Sequence, residues 1–144
     1  MNRVQQDVDA PPDDVWRVLA DGWLYPLWVV GATRMRQVDD AWPDPGSRLH
    51  HSVGVWPLVI DDDTEVLESV AGRMLRLRAR VWPGGEAEVV IRIEDRGAGS
   101  LVTIEEDVVA GPARLVPQPL RALALDFRNR ETLRRLAWLA ERRE

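Results

Sequence analysis

The sequence predicts an α+β domain: a seven-stranded curved antiparallel sheet wrapped around one long C-terminal helix, with two short helices between the first and second strands. Three observations predict it. Residues 33–109 fall into short runs of roughly ten residues separated by turn signals, the mark of an antiparallel meander. Pro11-Pro12-Asp13-Asp14 opens a helix straight after the first alternating segment, with proline in the first turn and carboxylates favoured by the helix dipole. From about Pro119 to Arg143 the apolar positions recur at the 3–4 spacing of a helix face.

The first strand alternates Val4, Gln6 and Val8 against Gln5, Asp7 and Asp9. Val15, Trp16, Val18 and Leu19 give the first helix its apolar face, and Asp21-Gly22 ends it. Trp23 to Val30 is apolar almost all round and broken by Pro26, which reads as a second small helix or lid. Turn signals follow at Asp39–Pro45-Gly46, Trp56-Pro57, Ala71-Gly72, Trp82-Pro83-Gly84-Gly85 and Asp95–Gly99. Pairing Trp82 with Glu86 sets Val81 against Ala87, Ala79 against Val89, Leu77 against Ile91 and Leu75 against Ile93. One face is then apolar in every pair, while Arg80–Glu88, Arg78–Val90 and Arg76–Arg92 make a charged outer face. The last strand, Leu101 to Val109, points Val102, Ile104, Glu106 and Val108 to one side.

Leu125, Asn129, Leu133, Leu136 and Ala140 form the stripe of the long helix, a rod of roughly 37 Å at about 1.5 Å per residue. Leu120, Leu123 and Phe127 lie on the opposite side of its first half. Cover by the Leu115–Pro119 segment and the lid is expected there, with a self-association patch, and hence a homodimer, as the alternative. A wide sheet curls, and one rod about 10 Å across does not fill its concavity. An internal cavity between sheet, long helix and lid is therefore expected.

Composition narrows the chemistry. The 144 residues are 45% hydrophobic and 30% charged, as in an ordinary globular chain, and no composition break divides residues 1–144 into two domains. There is no cysteine, and the two histidines, His50 and His51, are adjacent, so neither a metal centre nor a cofactor is expected. The net charge of −5 lacks the basic stripe of a nucleic-acid binder. All basic residues are arginine, which removes Schiff-base chemistry. The longest uncharged stretch, Gly22 to Thr33, is too short for a membrane span of about 20 residues. The N-terminal residues lack a signal-peptide core, so a cytoplasmic protein is expected.

Val8-Asp9-Ala10-Pro11-Pro12-Asp13-Asp14-Val15-Trp16, Gly54-Val55-Trp56-Pro57-Leu58 and Arg128-Asn129-Arg130-Glu131-Thr132-Leu133-Arg134-Arg135-Leu136-Ala137 carry a resemblance. With the element order, they make the chain similar to the START and polyketide-cyclase-like superfamily (SRPBCC), whose fold is the helix-grip. The resemblance implies a ligand held in a cavity under the long helix. It also implies entrance loops, which by position are Val55-Trp56-Pro57-Leu58 and Trp82-Pro83-Gly84-Gly85. Members include lipid carriers, hormone receptors, aromatase/cyclases and chaperone activators, so the fold alone does not set the activity.

Two polar residues fall on inward positions. His51 follows the alternation Leu49, His51, Val53; it is either a hydrogen-bonded core residue or a ligand-contacting, proton-transferring group, and His50 should face solvent. Glu106 either reaches solvent or an arginine, or is a desolvated carboxylate that accepts a proton or orients a ligand. Asn129, mid-stripe, either bonds to a strand or a buried water or anchors a ligand. Seven tryptophans are present, and Trp56 and Trp82, beside prolines, suit a cavity mouth. The expected ligand-binding set is Tyr25, Trp28, His51, Val53, Trp56, Leu77, Val89, Ile91, Glu106, Leu125 and Asn129. The leading function is binding of a small hydrophobic molecule such as a lipid, polyketide or terpenoid, with transport or sensing as the use of such binding. One alternative is a cyclase, aromatase or dehydratase using His51 and Glu106 as acid and base. The other is a chaperone-activator-like interaction module with a filled interior and an apolar patch near Trp56 and Trp82 or Leu120 and Phe127.

Overall fold

A computed structural model describes residues 2–29, 32–53, 60–81, 85–110, 115 and 117–142. The first strand, β1 (Asn2–Val8), buries Val4 and Val8 and turns Arg3, Gln5 and Asp7 outward, as its alternation dictates. Helix α1 (Pro12–Ala20) carries Asp13 and Asp14 in its first turn and Arg17 in its last, and buries Val15, Val18 and Leu19. A 3-10 turn, Gly22–Leu24, follows, in which the Trp23 N–H donates to the Asp21 carboxylate at 3.2 Å. Glycine is required there: a Cβ on Gly22 would stand 2.5 Å from Leu49 and 2.7 Å from Val38. The turn leads into α2 (Tyr25–Trp28), one helical turn that drives Tyr25 and Trp28 into the interior.

Six strands complete the meander: β2 (Ala32–Val38), β3 (Arg48–Val53), β4 (Ile60–Val70), β5 (Met74–Val81), β6 (Gly85–Asp95) and β7 (Ser100–Ala110). All neighbours are antiparallel, in the order β1-β7-β6-β5-β4-β3-β2. The chain's first strand thus closes onto its last, Asn2 facing Glu106 and Val8 facing Ser100. The inner face is apolar, with Leu49, Val66, Leu75, Leu77, Ile91, Ile93, Val102 and Ile104 in one core cluster. The outer face carries Arg–Glu pairs such as Arg76–Glu88 at 2.6 Å and Arg92–Glu105 at 3.0 Å.

The β5–β6 hairpin corrects the predicted register by two residues. Val81 faces Gly85, Ala79 faces Ala87, Leu77 faces Val89 and Leu75 faces Ile91. A shift of two leaves every side chain on its predicted face, so face arithmetic does not distinguish the two registers. Cross-strand charge does: Arg78 now faces Glu88 and Arg80 faces Glu86, where the predicted pairing set Arg76 against Arg92.

Between β2 and β3, the Asp39 carboxylate accepts from the Arg48 backbone N–H at 2.9 Å and pairs with His50 Nε2 at 3.0 Å. His50 is therefore tied to its own hairpin rather than freely solvated. The His50 hydrogen bond, and next the Arg48 N–H, hold the Asp39 carboxyl below its usual range. A lowered carboxyl pKa adds stability that is present above the ordinary aspartate value and disappears as pH falls through the folded value. Asp39→Asn is accordingly expected to melt below the parent chain at pH 6–7, with the gap closing below about pH 3. Melting curves across pH check this; a gap that stays constant would refute it.

Helix α3 (Gln118–Glu141) is 24 residues long and buries Asn129, Thr132, Leu133, Leu136, Ala137 and Ala140 against the rest of the fold. Leu125 is half-buried. Among the described residues the expected cover over its first half is not found: Leu120, Leu123 and Phe127 are 61%, 69% and 78% exposed. Leu115 and Leu27, from the two segments expected to supply that cover, are themselves exposed. The helix packs on β1, α1 and α2 through its other side, which leaves this stripe facing water. No helix among the described residues is long and apolar enough to cross a membrane.

Candidate functional site

Glu106 stands on β7 at an inward position set by Val102, Ile104 and Val108, and it is 2% exposed. It does not reach solvent. Both its carboxylate oxygens accept from the Arg128 guanidinium on α3, and Oε1 also accepts from Asn129 Nδ2 at 3.0 Å. The same Asn129 amide donates to Asn2 Oδ1 at 3.1 Å, which joins β1, β7 and α3 in one network. The two ends of the ion pair differ in depth: the Arg128 side chain is 30% exposed, whereas that of Glu106 is 2%. The carboxylate therefore faces the interior, and its counter-charge approaches from the rim.

Tyr25 and Trp28, brought inward by the single turn of α2, pack edge to face with ring centroids 5.2 Å apart. The Tyr25 hydroxyl lies 3.4 Å from Thr64 Oγ1 on β4. Burial pushes the phenol above its ordinary value; the Thr64 hydrogen bond and the charge of Arg128 pull it back, and Glu106 adds to the rise. Tyr25 thus stays a neutral hydroxyl within the field of the Glu106–Arg128 pair. Trp28 is 2% exposed, and its indole Nε1–H is buried with no acceptor among the described residues. A buried donor left so costs about 1–3 kcal/mol, and each such group in a native fold calls for a partner.

Of the expected residues, Tyr25, Glu106 and Asn129 are thus drawn into one buried polar group, with Trp28 against Tyr25. Leu77 and Ile91 are buried in the apolar wall and Val89 is partly buried against it. His51 and Val53 lie on β3, but their side chains, and all of Trp56 and Trp82, fall outside the described residues. Trp42 is buried and donates to the Leu19 carbonyl at 3.1 Å, while Trp23 and Trp138 are exposed. Arg128 and Thr64 were not expected. Arg128 stands three residues after Leu125, on the flank of the stripe, and reaches the Glu106 carboxylate on the sheet from there.

His51 and Glu106 stand on different strands, and the His51 side chain falls outside the described residues. β3 and β7 are separated by β4, β5 and β6, four strand spacings or about 19 Å along the sheet. No group of three or more His, Cys, Asp or Glu among the described residues is arranged to hold a metal. The described residues line a cleft of about 410 Å³ between α1 and the β2–β3 turn and another of about 220 Å³ on the outer sheet face. Neither is lined by Trp28, Tyr25 or Glu106.

Residues 2–141 match the family model described as polyketide cyclase / dehydrase and lipid transport. The chain belongs to that family. No curated protein matches its sequence closely. Among solved structures it is similar to protein CV1439 from Chromobacterium violaceum, with 19% identity, TM-score 0.69, and 98% of this chain covering 97% of that one. Ara h 8.0201 superposes with TM-score 0.73 at 8% identity, over 96% of this chain and 95% of its own. The di-domain ARO/CYC StfQ from the steffimycin biosynthetic pathway gives TM-score 0.73 at 11% identity, over 96% of this chain and 49% of its length. At these identities the likeness shows the fold alone, the helix-grip.

Proposed function

We propose that this family member binds a small, largely apolar molecule of the lipid, polyketide or terpenoid class in the cytoplasm, between the inner sheet face and α3. The observation that carries the reading is the Trp28 Nε1–H, buried and lacking an acceptor among the described residues, beside the neutral Tyr25 hydroxyl. A ligand oxygen is the natural acceptor for such a donor, and burial of apolar ligand surface supplies about 25 cal/mol per Å². On this reading Tyr25, Trp28, Leu77, Val89 and Ile91 line the proposed space, with Glu106 and Asn129 at its polar end; His51, Val53, Trp56 and Leu125 complete the set expected from the sequence. The cyclase reading is supported less well, because Glu106 is engaged by Arg128 and Asn129 and lies strands away from His51.

A thermal-shift panel of aromatic polyketides, terpenoids and lipids tests the proposal. A true ligand at a hundred times its Kd should stabilise the fold by about 2.7 kcal/mol. Native mass spectrometry of protein purified from its own host should show a retained small molecule. A panel with no shift, together with a bare mass, would refute the reading.

A further inference from the structure

The depth difference within the Glu106–Arg128 pair bears on which ligands the interior accepts. The anionic member is the inner one, 2% exposed, and the cationic member sits at the rim, 30% exposed. Arg128 meets both Glu106 oxygens, so its guanidinium has its counter-ion already, and Asn129 pins Oε1 from a second direction. A ligand carboxylate entering this space would meet a like charge in a poorly solvated setting, with Arg128 already engaged. The donor on offer, Trp28 Nε1–H, is neutral, as is the Tyr25 hydroxyl beside it.

We propose that Glu106 and Trp28 together set ligand specificity: the site takes uncharged molecules bearing a hydrogen-bond acceptor, such as a ketone, ester or quinone, and rejects the corresponding carboxylates. This rests on the binding reading above and adds a charge filter to it. Glu106 occupies the position an acidic ligand would need beside Arg128. Trp28 supplies the bond that a neutral carbonyl uses.

Two matched pairs test it at pH 8: decanoic acid with methyl decanoate, and anthraquinone-2-carboxylate with its methyl ester. The parent chain is expected to bind each ester at least about tenfold more tightly than its acid. Glu106→Gln, which leaves Arg128 without a counter-ion, should raise affinity for the acids by about tenfold, the worth of a charged hydrogen bond. Trp28→Phe should weaken ester binding by roughly three- to tenfold without improving the acids. Should Glu106→Gln not fold, the parent preference and Trp28→Phe decide the matter. Acids bound as tightly as esters by the parent chain, or left unimproved by a folded Glu106→Gln, would overturn the charge filter while leaving ligand binding intact. Failure of every probe to bind any variant would overturn both.

Discussion

Glu106→Ala is expected to melt about 8–10 °C below the parent chain, corresponding to roughly 2–3 kcal/mol. Breaking a fully buried ion pair costs about 3–5 kcal/mol, because the remaining charge stays desolvated. Arg128 is 30% exposed and regains part of its hydration, which brings this case down to or below the bottom of that range. The companion variant separates charge from packing. Glu106→Leu combined with Arg128→Leu removes both charges and should recover most of the loss, since apolar replacements of buried pairs are often neutral or stabilising. Melting temperatures of the two variants check this; a Glu106→Ala shift under about 2 °C would show that the pair is not structurally coupled to the fold.

Leu136→Ala is expected to cost about 2–5 kcal/mol, or roughly 6–15 °C in melting temperature. Leu136 is fully buried in the core cluster with Leu133, Ala137 and Ala140. Truncating it leaves a void where α3 seats on the fold. Leu123→Ala, on the exposed stripe of the same helix, should stay within about 0.5 kcal/mol of the parent. Chemical denaturation of the two variants checks the contrast. Equal losses at the two positions would mean that the stripe is covered in solution.

The fold was legible because its signals are local and repeated. Turn residues divide the strands, alternation assigns their faces, and the stripe from Asn129 to Ala140 identifies the side of α3 that seats. What parity does not resolve is a shift by two, and the β5–β6 register differs from expectation in that way. Glu106 and Asn129 were readable as polar residues at inward positions. Arg128 was not, because an arginine on an arginine-rich helix looks like solvated surface until the strand opposite supplies a buried carboxylate. The exposed Leu120, Leu123 and Phe127 were misjudged for a related reason. Apolar character signals a preference for burial, but whether a neighbour reaches that face depends on where α3 lies, which is a tertiary matter.

Strand β1 finds its sheet neighbour only in β7, with Asn2 opposite Glu106. During synthesis at about 5–20 residues per second, the opening segment therefore waits roughly 5–20 s before the segment it needs has been made. Throughout that interval its backbone donors and acceptors are open to other chains on the same message. Ribosome-bound intermediates of this protein are thus most vulnerable to mispairing before β7 emerges.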